Sequence, residues 1–262
     1  MEEKHYIWGG IIVWLVLFAL TTSTSVFENL SAWWAYALFL VAPLFATVYG
    51  FLAVKKYTLG STHGKTLFFF ALGSLSWLIG EYLYIHLEWA GYAVYPNISD
   101  LFYLIAYPLF LIGAIIELRE GKIDWSSTAV GVTSVSIASV LGIIGTVLTG
   151  YFGVILAYDA EAGLLTNLVN ISYGIGDLIL LFIVIMLIVK YAGAFFAQSW
   201  AILGLAFFMT WVADILYAVY FEAFENELFW TMQVDYLWTL SYIAIGYFFW
   251  RQITAIDALA SA

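Results

Sequence analysis

Cysteine is absent from the 262-residue chain, which removes disulfides, thiolate metal sites, iron–sulfur clusters and thiol nucleophiles at once. Charge is scarce, at 10% of residues, and lopsided: eight Lys and Arg stand against eighteen Asp and Glu, for a net charge of −10. No polybasic stretch exists to neutralise phosphates, so nucleic acid is not an expected partner. Three histidines are all that imidazole chemistry could draw on. No lysine falls within an apolar run, which excludes a retinal Schiff base.

What fills the chain instead is apolar surface. At 65% hydrophobic residues and a mean hydropathy of +0.98 it lies far from soluble domains, which are about 45–50% apolar. A bilayer crossing needs about 20 mainly apolar residues. Uncharged runs of that length predict eight spans, at 6–24, 33–54, 66–87, 101–118, 127–149, 166–189, 199–221 and 235–253. The first is too aromatic for a signal peptide and lacks its small-residue cleavage site, so it reads as a retained span. The expected fold class is therefore an all-α polytopic membrane protein with eight transmembrane helices.

Short loops rich in Lys and Arg stay cytoplasmic. With eight spans, Lys4, Lys55, Lys56, Lys65, Arg119, Lys122, Lys190 and Arg251 all fall on one side. That partition predicts cytoplasmic N- and C-termini in the plasma membrane. The outer loops carry Glu28, Glu88, Asp159, Glu161, Glu222, Glu225 and Glu227, and two sequons, at Asn29 and Asn97. Twelve Trp and nineteen Tyr cluster near span ends, among them Trp33, Trp34, Trp89, Tyr92, Tyr95, Trp125, Tyr151, Tyr158, Trp230 and Trp250. They read as an interfacial belt, with an aromatic ligand cage as the sharper alternative.

The second half of the chain echoes the first at an offset of about 134 residues. Gly80-Glu81-Tyr82-Leu83-Tyr84 matches Ala213-Asp214-Ile215-Leu216-Tyr217; the stretch from Asp100 to Tyr107 matches that from Asp235 to Tyr242; and Val54-Lys55-Lys56-Tyr57 matches Ile188-Val189-Lys190-Tyr191. These anchors predict two four-helix repeats, 1–125 and 126–262, in one membrane domain. An even number of spans per repeat makes the two parallel.

Sorting the acids locates the candidate site. Glu2, Glu3, Glu117, Glu120, Asp124 and Asp257 group near the cytoplasmic side, where solvation is expected. Glu81, Asp100, Asp177, Asp214 and Asp235 lie in or at the edge of spans. A carboxylate at a helix centre costs roughly 2.5–3.5 kcal/mol on insertion scales, so it usually faces the bundle interior with a partner or a function. Asp100 and Asp235 open their spans and read as N-terminal caps. Glu81, Asp177 and Asp214 are too deep for capping. They are the leading ligand- or cation-binding candidates, with Asp100, Asp235, His86, Tyr84 and Tyr217 as secondary ones. The competing reading is carboxyls that tie helices together through Tyr, Trp, Ser or Asn. His86 near Glu81 and Glu88 suggests a zinc site only weakly, since it lacks a second imidazole or thiolate. No cofactor is identifiable.

The stretch from Tyr95 to Leu109 resembles the "YPS-x-AD-x-x-YL-x-x-YPL" signature of the multi-span membrane sensory modules that precede GGDEF and EAL domains in bacterial signalling proteins. The run from Tyr173 to Leu181 is similar to their "YP-x-GD-LLLL" segment, with Gly174 in place of proline, and Asp214 through Trp238 to their later "AD-LLY … D-x-LW" stretch. The resemblance spans roughly residues 75–253. It implies a sensory or ligand-binding membrane module. The three unpaired acids, Glu81, Asp177 and Asp214, sharpen that expectation to a non-enzymatic, receptor-like module binding a small or lipophilic ligand or a cation in an outer-half cavity. With no output domain in this sequence, the resemblance also implies a separate cytoplasmic signalling partner. Lipid and a second copy of the chain complete the expected partners.

Two alternatives compete. A proton- or cation-coupled transporter would use the same carboxylates between the repeats. Gly174-Ile175-Gly176-Asp177 also spells the GxGD of intramembrane aspartyl proteases, with Tyr158-Asp159 as the partner motif. The later PAL segment of those proteases is missing.

Overall fold

The computed structural model describes residues 9–13, 15–16, 32–92, 94–120, 163–192, 197–220 and 232–260. The expected span at 127–149 and most of that at 6–24 lie outside the described residues. Six long helices follow one another: α1 (Ala32–Tyr57), α2 (Thr62–Trp89), α3 (Ile98–Arg119), α4 (Leu164–Lys190), α5 (Ala197–Val219) and α6 (Met232–Ala260). A shorter helical stretch at 9–16 packs Ile11 and Leu15 on the same core. There is no strand among the described residues.

Most helix ends extend beyond the expected apolar runs, because polar capping residues continue the hydrogen-bond ladder past the hydrophobic window. Ser61 caps α2, its hydroxyl accepting from Gly64 N at 2.9 Å. The turn before it brings the Thr58 carbonyl against Gly64, where a Cβ would collide with it. Asn97 and Asp100 form a capping box at α3: Asn97 Oδ1 accepts from Ser99 N at 2.8 Å, and Asp100 Oδ2 accepts from Asn97 N at 2.7 Å. The sequon asparagine Asn97 is thus committed to a cap, and its Nδ2 donates to Val94 O.

Among the described residues five segments are long and apolar enough to cross a membrane: Phe39–Tyr57, Thr62–Trp89, Ile98–Arg119, Leu164–Lys190 and Ala197–Ala218. Val41, Leu44, Val48 and Leu52 keep an exposed apolar stripe along α1, and Leu168, Ile175, Ile179 and Phe182 one along α4. In water such stripes would be a liability; facing lipid they are at no cost, and the chain is an integral membrane protein.

The helices close a ring. Each packs on the next in sequence, and α6 packs back on α1. Inside it runs an aromatic column from four helices: Trp77 against Phe110 (centroids 4.9 Å apart), Phe110 against Phe207 (5.1 Å), Phe70 against Phe110 (5.8 Å), and Trp200 against Phe248 (5.3 Å). Edge-to-face and tilted contacts of this kind add to the packing that holds helices together where burial from water cannot. Polar cross-links join neighbouring helices as well. Ser76 Oγ donates to Phe102 O at 2.6 Å between α2 and α3, and Thr210 and Ser241 share a hydrogen bond of 2.7 Å between α5 and α6.

Trp250, expected in the interfacial belt, is instead buried and stacked on Tyr247 at 5.2 Å. Its place near a span end fixed its depth but not its direction. Trp89, Tyr92 and Tyr95 are exposed at the helix ends as expected. The side chains of Trp33 and Trp34, and Trp125, Tyr151, Tyr158 and Trp230, lie outside the described residues.

Candidate functional site

Five helices, α2 to α6, bring the three deep acids together at one end of the ring. Glu81, on α2, accepts a 2.6 Å hydrogen bond from Tyr242 Oη of α6 and lies beside Tyr103 of α3. Asp177, on α4, is 4% exposed and accepts from Tyr107 Oη of α3 at 2.7 Å. Asp214, on α5, accepts from Trp238 Nε1 of α6 at 2.6 Å. Asp177 and Asp214 are within hydrogen-bonding reach of one another, and Glu81 is close enough to Asp214 for their charges to interact. A hydrogen bond between two carboxyls requires a proton on one of them.

The chain permits this approach at a glycine. The ring of Tyr107 lies over Gly176, where a Cβ would stand 2.5 Å from the ring, and its hydroxyl then reaches the adjacent Asp177. The Gly of Gly176-Asp177 is thus a packing requirement for this hydrogen bond. Tyr107 in turn meets Trp77 and Tyr173 edge-on, at 6.3 and 6.2 Å.

The secondary candidates divide. Asp100 is the predicted cap, and it also accepts from Tyr173 Oη at 2.9 Å, which ties the start of α3 to α4 beside Asp177. Asp235 opens α6 near Glu81 and Glu88. Tyr84 and Tyr217 lie near one another at the rim, Tyr217 edge-on to Trp238 at 5.9 Å. Tyr95, in the loop before α3, donates to Asn170 of α4. His86 points elsewhere: it is exposed and stacked on Tyr82 at 6.1 Å. Among the described residues no group of three His, Cys, Asp or Glu could hold a metal ion.

The protease partner Asp159 lies outside the described residues. The carboxyl beside Asp177 is that of Asp214.

One acid was misjudged from sequence. Glu117, expected to be solvated near the helix end, is 2% exposed and hydrogen-bonded to His63 and Tyr191. Its position two residues from the end of α3 gave no sign of this, because the groups that bond it come from α2 and the end of α4.

No lysine or arginine acts on Glu81, Asp177 or Asp214 among the described residues. The arrangement is therefore a cluster of carboxyls whose negative charge is met only by neutral donors. It can store protons or hold a cation, with aromatic faces available to an organic one. Comparison with protein-family models, curated proteins and solved structures found no match.

Proposed function

We propose that the protein is a receptor-like, sensory membrane module whose ligand is a small molecule carrying a cationic group, held by Glu81, Asp177 and Asp214 in the outer half of the membrane. The observation that carries this reading is the convergence of three carboxyls from three helices with no basic residue beside them. A structural role alone would be met by one carboxyl per tyrosine; a third negative group in the same place raises the cost unless protons or a cation offset it.

The wider architecture belongs to the same proposal: eight spans, parallel repeats at 1–125 and 126–262, both termini cytoplasmic in the plasma membrane, and signalling through a separate cytoplasmic partner or a second copy. The repeat is supported by the ring itself, since α1, α2 and α3 neighbour one another as α4, α5 and α6 do, and the two junctions, α3 on α4 and α6 on α1, correspond. It is supported also by the site. Tyr103 lies beside Glu81 in its own half, at the position equivalent to Trp238, which donates to Asp214 in the other. Asp177 has no acidic counterpart: the residue about 134 positions earlier is Pro43.

Trp238 offers a direct test. Its indole donates to Asp214, so a cation at that carboxyl alters its emission. Titrating the detergent-solubilised protein with choline, tetramethylammonium and guanidinium chlorides is expected to give a saturable fluorescence change with at least one of them. The change should vanish in Trp238→Phe and in Asp177→Asn/Asp214→Asn. An emission that stays flat with all three counts against the reading.

A coupled transporter is the second reading, favoured because two hydrogen bonds of the site cross between the halves: Tyr242 to Glu81 and Tyr107 to Asp177. Cation uptake by proteoliposomes driven by a pH or sodium gradient, and lost in Asp177→Asn, would replace the sensor with the transporter.

A further inference from the structure

A second buried polar cluster occupies the opposite end of the ring. His63 stands at the start of α2, eighteen residues or about 27 Å along the helix from Glu81, with the aromatic column between them. Its Nδ1 lies 3.0 Å from both carboxylate oxygens of Glu117. Its Nε2 lies 3.2 Å from Oε1 of Gln252, on α6, which is fully buried. The Nε2 of Gln252 has no hydrogen-bond partner, and neither has the buried indole N–H of Trp200, whose ring meets His63 edge-on at 6.2 Å.

Hydrogen-bond chemistry fixes what this geometry demands. A carboxylate and an amide oxygen are both acceptors, so an imidazole bonded to both must carry a proton on each nitrogen. If His63 loses the Nε2 proton, its bare nitrogen faces an oxygen lone pair. Turning the amide over then presents the Gln252 Nε2 to His63 as a donor, and the group that lacked a partner gains one. Each proton count of His63 thus has its own orientation of Gln252.

We propose that His63, Glu117 and Gln252 form a proton-binding site, separate from the acid cluster, in which gain or loss of the His63 Nε2 proton reverses the side-chain amide of Gln252. The proton exchanges with solvent, leaving a neutral imidazole on the Glu117 carboxylate. The other charged and titratable groups around it are Tyr57 of α1, whose ring is 4.7 Å from His63; Glu120 just beyond α3; Lys190 and Tyr191 at the end of α4; and Asp257 of α6, paired with Lys56. Lys190 is engaged by the main-chain oxygens of Glu117 and Glu120, and α5 contributes only the untitratable Trp200. Tyr191 is held protonated by burial and by its bond to Glu117, so it remains a donor to that carboxylate. Because α6 carries Gln252 here and Trp238 and Tyr242 at the acid cluster, the helix is common to both sites.

Magnetic resonance of the full chain in lipid bilayers tests this without disturbing the site. The sequence has three histidines and three glutamines, so ¹⁵N labelling of both types gives few signals, and His5→Asn/His86→Asn leaves His63 as the sole imidazole. At acid pH both ring nitrogens of His63 should be protonated; as pH rises Nε2 should lose its proton, and the Gln252 amide nitrogen should shift along the same curve. In Glu117→Gln the two curves should still coincide, displaced together. A Gln252 resonance that stays fixed while Nε2 deprotonates overturns the proposal, as does a His63 that never carries a second proton while the protein stays folded.

Discussion

A carboxyl in the membrane interior can be there for its hydrogen bonds or for its charge, and Glu81 allows the two to be separated. Tyr242 donates to it, and interhelical bonds of this kind average about 0.6 kcal/mol and reach about 1.7 kcal/mol. Tyr242→Phe is therefore expected to lower stability within that range, read by denaturation in detergent, while weakening ligand binding only indirectly. Glu81→Gln keeps the acceptor and removes the charge; stability should be unchanged or higher, and cation binding should fall at least tenfold. If Glu81→Gln destabilises the fold more than Tyr242→Phe does, the carboxyl is chiefly structural. The sequence exposed the acids themselves, because no basic residue lies in a span to excuse them. It did not expose their donors, since Tyr107, Tyr242 and Trp238 carry no mark that separates a site aromatic from a core or belt one. Glu117 shows the converse error. Nearness to a helix end does not ensure solvation when His63, Tyr191 and Gln252 converge from neighbouring helices.

At the scale of the helix, the site depends on how closely α3 and α4 approach. Tyr107 reaches Asp177 only by lying across Gly176, and a methyl group there would meet the ring at 2.5 Å. Gly176→Ala is expected to cost about 1–3 kcal/mol through overpacking. It should also free the Tyr107 hydroxyl, visible as a shift in tyrosine ultraviolet Raman bands that Gly163→Ala, at an open position, does not produce. Helix existence was legible from apolar runs, and six of the eight expected spans fall on described helices. Which face of each helix turns inward was less so. Exposed apolar residues face lipid as readily as buried ones face the core, and Trp250 was misread for that reason.

At the scale of the whole molecule, the absence of cysteine becomes an experimental advantage. Single cysteines can be placed without background, and topology follows from which side a membrane-impermeant maleimide reaches. Lys65→Cys, exposed at the start of α2, should react only from the cytoplasm, and Tyr92→Cys, exposed beyond the other end of that helix, only from outside. Reaction of both from one side would contradict the orientation and the span count together. The closed ring of helices was anticipated only as a repeat offset in the sequence, because offsets carry no information on which helices touch.

The central claim is that Glu81, Asp177 and Asp214 hold one ligand together, and native mass spectrometry of the protein extracted from its own membranes tests it most directly. The wild-type chain should carry a defined small-molecule adduct in place of protons, and that adduct should be absent from both Glu81→Gln and Asp177→Asn/Asp214→Asn. An adduct that survives in either variant, or a wild-type protein that carries none, would contradict the account.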